Sequence, residues 1–309
     1  MGGLRRAAAP NRTSAANARD STQPNPLTEA GIRAVGGSMR RALGRRIDVV
    51  YEAYARLKFS IIIPTYNEAG GIEKLVATLA DVFRSNALDG EVIVVDDNSP
   101  DGTGAIVDRL AGRFPVRCLH RPGKMGLSSG VIDGWRFARR ESDALGAMDA
   151  DFSHDPHVIP QMVRALESGR YGLAVGSRYV KGGGITNWPL KRKITSLVAC
   201  MLAWPLTPIR DITSGFLLVR REALDGVALD PIGFKIGLEV AAKAHYGKAL
   251  EVPYVFTDRV VGESKLNGKE ITNYLRQLRR IYAGRIFGRR NFAPASSPRT
   301  GAPTEKTIA

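Results

Sequence analysis

The sequence predicts an α/β fold, with a mostly parallel central sheet covered by helices on both faces. Three observations lead there. From Phe59 onward, short apolar runs alternate with amphipathic stretches of helical period. The runs are apolar at successive positions, as strands buried on both faces require. Polar clusters follow the runs, at the strand ends where an open α/β sheet binds its ligand.

The elements follow in order. Phe59 to Pro64 is a buried strand, and the amphipathic stretch from about Gly71 to Ser85 is the helix that returns the chain. Glu91 to Asp96 is a second strand. Asp97 to Thr103 reads as a turn capped into a helix over Thr103 to Arg113. Val116 to Leu119, Ala144 to Asp149 and Tyr171 to Gly176 are further strands, separated by helices near Leu127–Arg140 and Pro156–Glu167. Strand, helix and strand repeated this way make a parallel sheet. The apolar segment Ile194 to Ile209 is 16 residues long and is interrupted by Thr195, Ser196, Pro205, Thr207 and Pro208. It falls short of the roughly 20 residues that span a bilayer, so no transmembrane helix is expected.

The 309 residues carry a net charge of +15. Residues 1–58 hold 11 Lys/Arg against 4 Asp/Glu, and residues 269–309 hold 9 against 2, while the body between them is nearly neutral. Basic ends around a neutral body suit an anionic membrane surface at least as well as nucleic acid. No RNA-recognition or helix-turn-helix signature supports a nucleic-acid binder, which stays as the reading outside the enzyme class. No secretory signal is visible among the first thirty residues. Cys118 and Cys200 each lie in an apolar stretch and are expected as buried free thiols of a reducing compartment.

The strand ends carry the chemistry. The first runs Pro64-Thr65-Tyr66-Asn67-Glu68, the second Asp96-Asp97-Asn98-Ser99-Pro100-Asp101-Gly102-Thr103, and the fourth Asp149-Ala150-Asp151-Phe152-Ser153-His154-Asp155-Pro156. A tyrosine and a carboxylate can stack on a nucleobase and bond its ribose. Two aspartates one residue apart can hold Mg²⁺ or Mn²⁺ on a diphosphate, because hard cations take oxygen ligands. A lone Asp-x-Asp is weak evidence, common in turns and helix caps. Four histidines and no His-x-x-x-His pair argue against zinc, including at His154. Gly123-Lys124-Met125-Gly126 lacks the spacing of a nucleoside-triphosphate loop.

Taken in order, these runs, with Gly126-Leu127-Ser128-Ser129-Gly130 and Gly176-Ser177-Arg178-Tyr179, resemble the inverting family 2 glycosyltransferases of the GT-A fold. More narrowly, they are similar to the polyprenol (dolichol) phosphate mannosyltransferases, over about Phe59 to Leu266. The resemblance implies transfer of a sugar, most often mannose from GDP-mannose, to the phosphate of a long isoprenoid lipid. A family 2 transferase using UDP-glucose or another donor, or a non-lipid acceptor, is the alternative. It also implies roles by position. Pro64, Tyr66, Glu68, Val95 and Asp97 would line the nucleoside pocket. Asp149, Ala150 and Asp151 would meet the diphosphate, with Asp151 the chief metal ligand. Some members carry Gln where this chain has Ser153, whose hydroxyl or a water would then complete the metal site. Arg178 and Arg192 would hold the lipid phosphate, and Arg178, Lys235, Arg259 and Lys265 would grip the donor. Asp211 and Glu239 are candidate orienting groups, and Asp211 fits a turn cap equally well.

Composition and periodicity set the expected ends, and the resemblance the part between them: residues 1–57 a basic, largely disordered extension with a weak helical pattern; 58–267 the GT-A catalytic domain; 268–290 a basic amphipathic helix; 291–309 a disordered tail. In Lys269 to Gly288, Ile271, Tyr274, Leu275, Leu278, Ile281, Tyr282 and Ile286 recur at helical spacing with Arg276, Arg279, Arg280 and Arg285 between them. Such a stripe lies in a headgroup layer or packs on the core. Ile194 to Trp204, preceded by three cations, is a second candidate for lipid contact. The expected place of action is the cytoplasmic face of a membrane, held peripherally, with room for a separate membrane subunit.

Overall fold

A computed structural model of the chain describes residues 56–233, 235–257 and 268–287. The expectations for residues 1–55, for Arg259 and Lys265, and for the tail from residue 288 lie outside the described residues.

Nine strands form two sheets among those residues: β1 (Lys58–Thr65), β2 (Asp89–Asp96), β3 (Val116–His120), β4 (Ala144–Ala147), β5 (Leu173–Ser177), β6 (Gly184–Thr186), β7 (Leu217–Arg220), β8 (Ala249–Pro253) and β9 (Val255–Thr257). The main sheet has the order β3-β2-β1-β4-β7-β5-β8, and β6 pairs with β9 beside it. Every pairing in the main sheet is parallel except those of β7, which runs against both β4 and β5. The helices are α1 (Ile72–Ser85), α2 (Thr103–Leu110), α3 (Leu127–Phe137), α4 (Ile159–Glu167), α5 (Leu190–Ala203), α6 (Ile236–Lys243) and α7 (Gly268–Phe287).

The consecutive apolar residues of β1 divide between two cores, because successive side chains of a strand point to opposite faces. Phe59, Ile61 and Ile63 meet Leu75 and Leu79 of α1, Val107 of α2 and Met162 of α4. Ile62 faces the other way, with Ile93 and Val95 of β2, Val131 and Trp135 of α3, and Leu238 of α6. Burying each such side chain contributes about 1.5–3 kcal/mol. Gly134 lets α3 lie close on the sheet, since a Cβ there would stand 2.6 Å from Ile62.

The two ends of the sheet differ in their polar chemistry. At the amino end, Glu91 accepts from Ser60 Oγ at 2.6 Å and from the Arg139 amide at 3.0 Å, and pairs with Arg117 at 2.9 Å. That network is closed on itself and serves packing. The carboxyl end is shaped by β7. Because β7 is antiparallel, its first residue Leu217 pairs with Ala147 at the end of β4 and with Val175 near the end of β5. The segment from Asp211 to Phe216 therefore arrives at the same rim as the ends of β4 and β5.

Helix α7 joins the second core through Tyr274, Leu278 and Ile281. It is also tied to α5 and the turn after it. The Tyr274 hydroxyl donates to the Ala199 carbonyl, Tyr282 to Leu202 at 2.8 Å, and Arg285 to Pro205 and Leu206 at 3.1 Å each. Leu190, Ile194, Leu197, Val198, Met201 and Trp204 remain exposed, as do Ile271, Leu275 and Ile286. Among the described residues, no helix is long and apolar enough to cross a membrane. Cys200 is a buried free thiol as expected, whereas Cys118 is only half-buried, because β3 is an edge strand with one flank open.

Candidate active site

The first two strand ends are bound into one platform. Asp96 accepts from the Thr65 hydroxyl at 3.0 Å and from the Ser99 amide at 3.0 Å. Ser99 Oγ in turn accepts from the Asn67 amide at 3.0 Å, and Thr103 Oγ1 from the Glu68 amide at 3.0 Å. Asp101 accepts from the Ala69 amide and the Thr103 amide, each at 3.0 Å. The aspartate-rich run is thus both a helix cap and a brace for the loop after β1, where Asn67 holds φ of 61°. Above this brace the Tyr66 ring is partly exposed, with the Lys124 ammonium 4.0 Å from its centroid.

Asp97 lies deeper. Its Oδ2 accepts from the Met125 and Gly126 amides at 3.0 and 3.1 Å, and its Oδ1 stands 2.8 Å from Nη1 of buried Arg121. Arg121 also donates to the Ser129 hydroxyl at 2.7 Å. Asp97 therefore anchors the Gly123–Gly126 loop that carries Lys124 over Tyr66. Val95 and Ala150 are buried in the cores and reach the rim through their backbones, while Pro64 is half-buried and Glu68 partly exposed.

Beyond β4 the chain turns sharply, with Phe152 at φ of 59°. The Asp149 amide donates to His154 Nδ1 at 3.0 Å, and the Ser153 amide to Asp151 Oδ1 at 3.1 Å. Acceptance at Nδ1 places the imidazole proton on Nε2. His154 is buried and stacked on Phe216, with ring centroids 5.0 Å apart and planes at 12°. Burial lowers its pKa against the raising pull of Asp149 and Asp151, so the ring is neutral. Asp149 and Asp151 remain partly exposed at the rim.

The cations gather next to this turn. Arg178, one residue past β5, donates from Nε and Nη2 to the two oxygens of Asp211 at 2.7 and 2.6 Å, and from its amide at 2.9 Å. Asp211 is fully buried, and its own amide donates to Glu251 at 3.0 Å. The Arg178 and Arg192 guanidinium carbons both lie over the Trp188 ring, 5.1 and 4.0 Å from its centroid. The Lys235 side chain is half-buried, but its ammonium is enclosed and donates to the Thr213 carbonyl at 3.3 Å. Desolvation by burial, helped by the charge of Arg178, lowers its pKa to about 8.

The oxygen donors fit a hard divalent cation. Asp149 and Asp151 offer carboxylates at the rim, and the buried Ser153 hydroxyl beside them has no hydrogen-bond partner, leaving it able to take a third ligand's place. Among the described residues, one group of three His, Cys, Asp or Glu lies within ligand distance of one another, formed by Asp108, Cys118 and His120 on the sheet edge. Burial pushes the Cys118 thiol well up, against the thiolate that a soft metal requires.

The structure thus gathers Asp149, Asp151, Ser153, Arg178, Arg192 and Lys235 in the neighbourhood of one rim, with Tyr66, Glu68 and Asp97 on the platform beside it. Glu239 is drawn elsewhere: it pairs with Lys243 and accepts from buried Gln277 at 3.4 Å beneath α7. Asp211 proves to be the partner of Arg178 as well as part of a turn. The sequence pattern assigns no role to Arg121 or Trp188. The first stands a few residues before a glycine-rich loop, and the second sits in the run that contains Arg192, so position alone marked only their neighbourhoods.

Comparison with known proteins identifies the family and the fold. The profile of the family described as Glycosyl transferase family 2 matches residues 60–227. A dolichol-phosphate mannosyltransferase of Pyrococcus furiosus is 44% identical over 229 residues, covering 73% of this chain and 64% of that protein, so the chain spans under two thirds of that relative. A dolichol-phosphate mannosyltransferase of Saccharomyces cerevisiae is 38% identical over 246 residues, 76% of this chain and 90% of that protein. Among solved structures, a mannosyltransferase from Pyrobaculum calidifontis in complex with GDP-Man and Mn²⁺ superposes with a TM-score of 0.51 at 20% identity, over 78% of this chain and 67% of that one. Glucosyl-3-phosphoglycerate synthase of Mycobacterium tuberculosis gives 0.54 at 20% identity, over 79% and 84%. Both are glycosyltransferases of the GT-A fold, and at these identities they establish the shared fold.

Proposed function

The chain belongs to glycosyl transferase family 2, and from that premise we propose that it transfers mannose from GDP-mannose to the phosphate of a polyprenyl lipid, with inversion at the sugar. The observation that carries this reading is the pair Arg178 and Arg192, brought to one indole beside the Asp149–Asp151 turn. The names of the relatives from Pyrococcus and Saccharomyces point to the same donor sugar and acceptor class.

Sugar transfer to a hydroxyl needs a base near the nucleophile. A phosphate monoester has its second pKa at about 6 and is already largely dianionic at neutral pH. An acceptor of that kind needs cations to hold it in line rather than a base to activate it. The rim fits that demand. His154, the imidazole nearest the rim carboxylates, is buried with Nδ1 committed to the Asp149 amide.

In this scheme Tyr66 offers its ring to the nucleobase, and the platform of Asp96, Ser99 and Asp101 keeps that ring in place. Lys235 holds the donor diphosphate as its negative charge builds on departure. Arg178 and Arg192 hold the acceptor phosphate, whose oxygen attacks the anomeric carbon from the face opposite the leaving diphosphate. Asp149, Asp151 and Ser153 would hold Mg²⁺ or Mn²⁺, which neutralises charge on the leaving diphosphate oxygens.

Access to the lipid rests on α5 and α7. Their exposed apolar side chains, with Lys191, Arg192 and Lys193 in the first turn of α5, suit the interface of an anionic bilayer, where apolar residues enter and cations meet headgroups. On this reading the enzyme works peripherally at a membrane surface. The reading is tested by offering GDP-mannose, UDP-glucose and UDP-N-acetylglucosamine with a polyprenyl phosphate and Mn²⁺. Glycolipid formed from GDP-mannose alone supports it. Transfer only to a non-lipid hydroxyl acceptor overturns it.

A further inference from the structure

We propose that Trp188 is a positioning residue for the acceptor phosphate: its indole sets the separation and orientation of the Arg178 and Arg192 guanidinium groups, and its Nε1–H is a third donor for the anion. The inference rests on the acceptor reading given above and deepens it.

Four observations meet at this side chain. The Arg178 and Arg192 guanidinium carbons lie over the ring at 5.1 and 4.0 Å from its centroid. Both are within the range in which the electron-rich face of an indole attracts a cation. The ring is itself held, edge-on against Phe256 at 5.2 Å and 68°, and it packs against the first core. Its Nε1 is buried without a hydrogen-bond partner. An orphaned buried donor costs about 1–3 kcal/mol, so its retention beside two cations marks a place where an acceptor arrives.

The arrangement answers a problem of charge. Two guanidinium groups converging on one dianion repel each other while the site is empty. Arg178 is restrained from one side by Asp211, through two hydrogen bonds of 2.7 and 2.6 Å. Arg192 comes from the first turn of α5. The indole gives both cations a common neutral surface that attracts them to fixed positions. Phe256 also edges toward His154, at 6.2 Å, so Trp188 is seated on the same aromatic cluster that supports the Asp149–Asp151 turn.

The test compares Trp188→Phe and Trp188→Leu in the full chain, with Mn²⁺, GDP-mannose and a short-chain isoprenyl monophosphate soluble without detergent. Three quantities are read: the KM for the isoprenyl phosphate, kcat, and the dissociation constant of GDP with Mn²⁺. Trp188→Leu, which removes both ring and N–H, is expected to raise the acceptor KM about tenfold, equal to about 1.4 kcal/mol. Trp188→Phe keeps an aromatic face and is expected to raise it by about threefold. In both variants GDP binding stays at the wild-type value. An unchanged acceptor KM in the two variants overturns the proposal. So does a parallel loss of GDP binding in Trp188→Phe, which would make the indole a packing residue. If Trp188→Leu does not fold, the Phe variant decides alone. A wild-type chain that gives no product with the isoprenyl phosphate defeats the acceptor reading and this inference with it, whereas normal wild-type transfer with unaffected variants defeats the inference only.

Discussion

Arg178 and Asp211 form a buried bidentate ion pair, 33 residues apart in sequence, with the guanidinium Nε and Nη2 donating to both carboxylate oxygens at 2.7 and 2.6 Å. The pair fixes one cation of the candidate acceptor site and links the ends of β5 and the segment before β7. Arg178 is therefore a preset part of the rim, with its plane chosen before any substrate arrives.

That pairing predicts different outcomes for breaking and for replacing it. Asp211→Ala leaves a buried unpaired guanidinium and should cost about 3–5 kcal/mol of stability, seen as a lower denaturant midpoint. The double variant Arg178→Met with Asp211→Leu should recover most of that stability and remain without transferase activity. Recovery of activity in the double variant would show that the pair serves folding alone.

Lys235 predicts a pH dependence. Its pKa is lowered from the ordinary 10.5 to about 8, first by burial and then by Arg178. The folded state thus binds this proton less tightly than the unfolded state does. Its charge costs stability below about pH 8, and that cost is removed as pH rises from about 8 through 10.5. In the proposed scheme Lys235 holds the donor diphosphate in its protonated form, so kcat/KM for the donor should fall as pH rises through about 8. Lys235→Arg should flatten that limb, because a guanidinium stays charged there. An unaltered limb in Lys235→Arg would assign it to another group.

His154 predicts a metal-affinity effect without direct ligation. The imidazole accepts from the Asp149 amide and stacks on Phe216. His154→Phe keeps the stack and loses the acceptor, whereas His154→Asn offers an acceptor without the stack. Mn²⁺ titrated into the GDP-bound protein by electron paramagnetic resonance should bind about tenfold more weakly in the Phe variant, and the Asn variant should recover part of the loss. Equal Mn²⁺ affinity in the Phe variant would remove His154 from the account of that turn.

The exposed faces of α5 and α7 predict lipid binding that is separable from donor binding. Leu197→Asp with Leu202→Asp should abolish sedimentation with vesicles containing anionic lipid and leave GDP binding intact. Retained sedimentation would exclude this face as the docking surface.

Much of this was legible in the chain, for identifiable reasons. Strands β1 and β2 announce themselves because both faces are buried, and their end clusters sit where an open sheet binds ligands. Asp149 and Asp151 are marked by their place at a strand end, and the cations at Arg178, Arg192 and Lys235 by the resemblance to the family 2 glycosyltransferases. What stayed hidden depends on topology. Nothing in Leu217 to Arg220 says that β7 runs antiparallel, yet that reversal is what carries Asp211 to Arg178 and Phe216 to His154. The role of Arg121 was equally unreadable, since its contact with Asp97 follows from β2 and β3 lying side by side. Trp188 gave no periodic signal, being a single aromatic residue in the short connection between β6 and α5.

The most direct measurement of the central claim is transfer of radiolabelled mannose from GDP-mannose to a polyprenyl phosphate in the presence of Mn²⁺, comparing wild type with Asp151→Ala. The account predicts a glycolipid that forms with wild type, disappears on chelation of the metal, and is lost by at least about a hundredfold with Asp151→Ala. A glycolipid formed equally well by Asp151→Ala would contradict it.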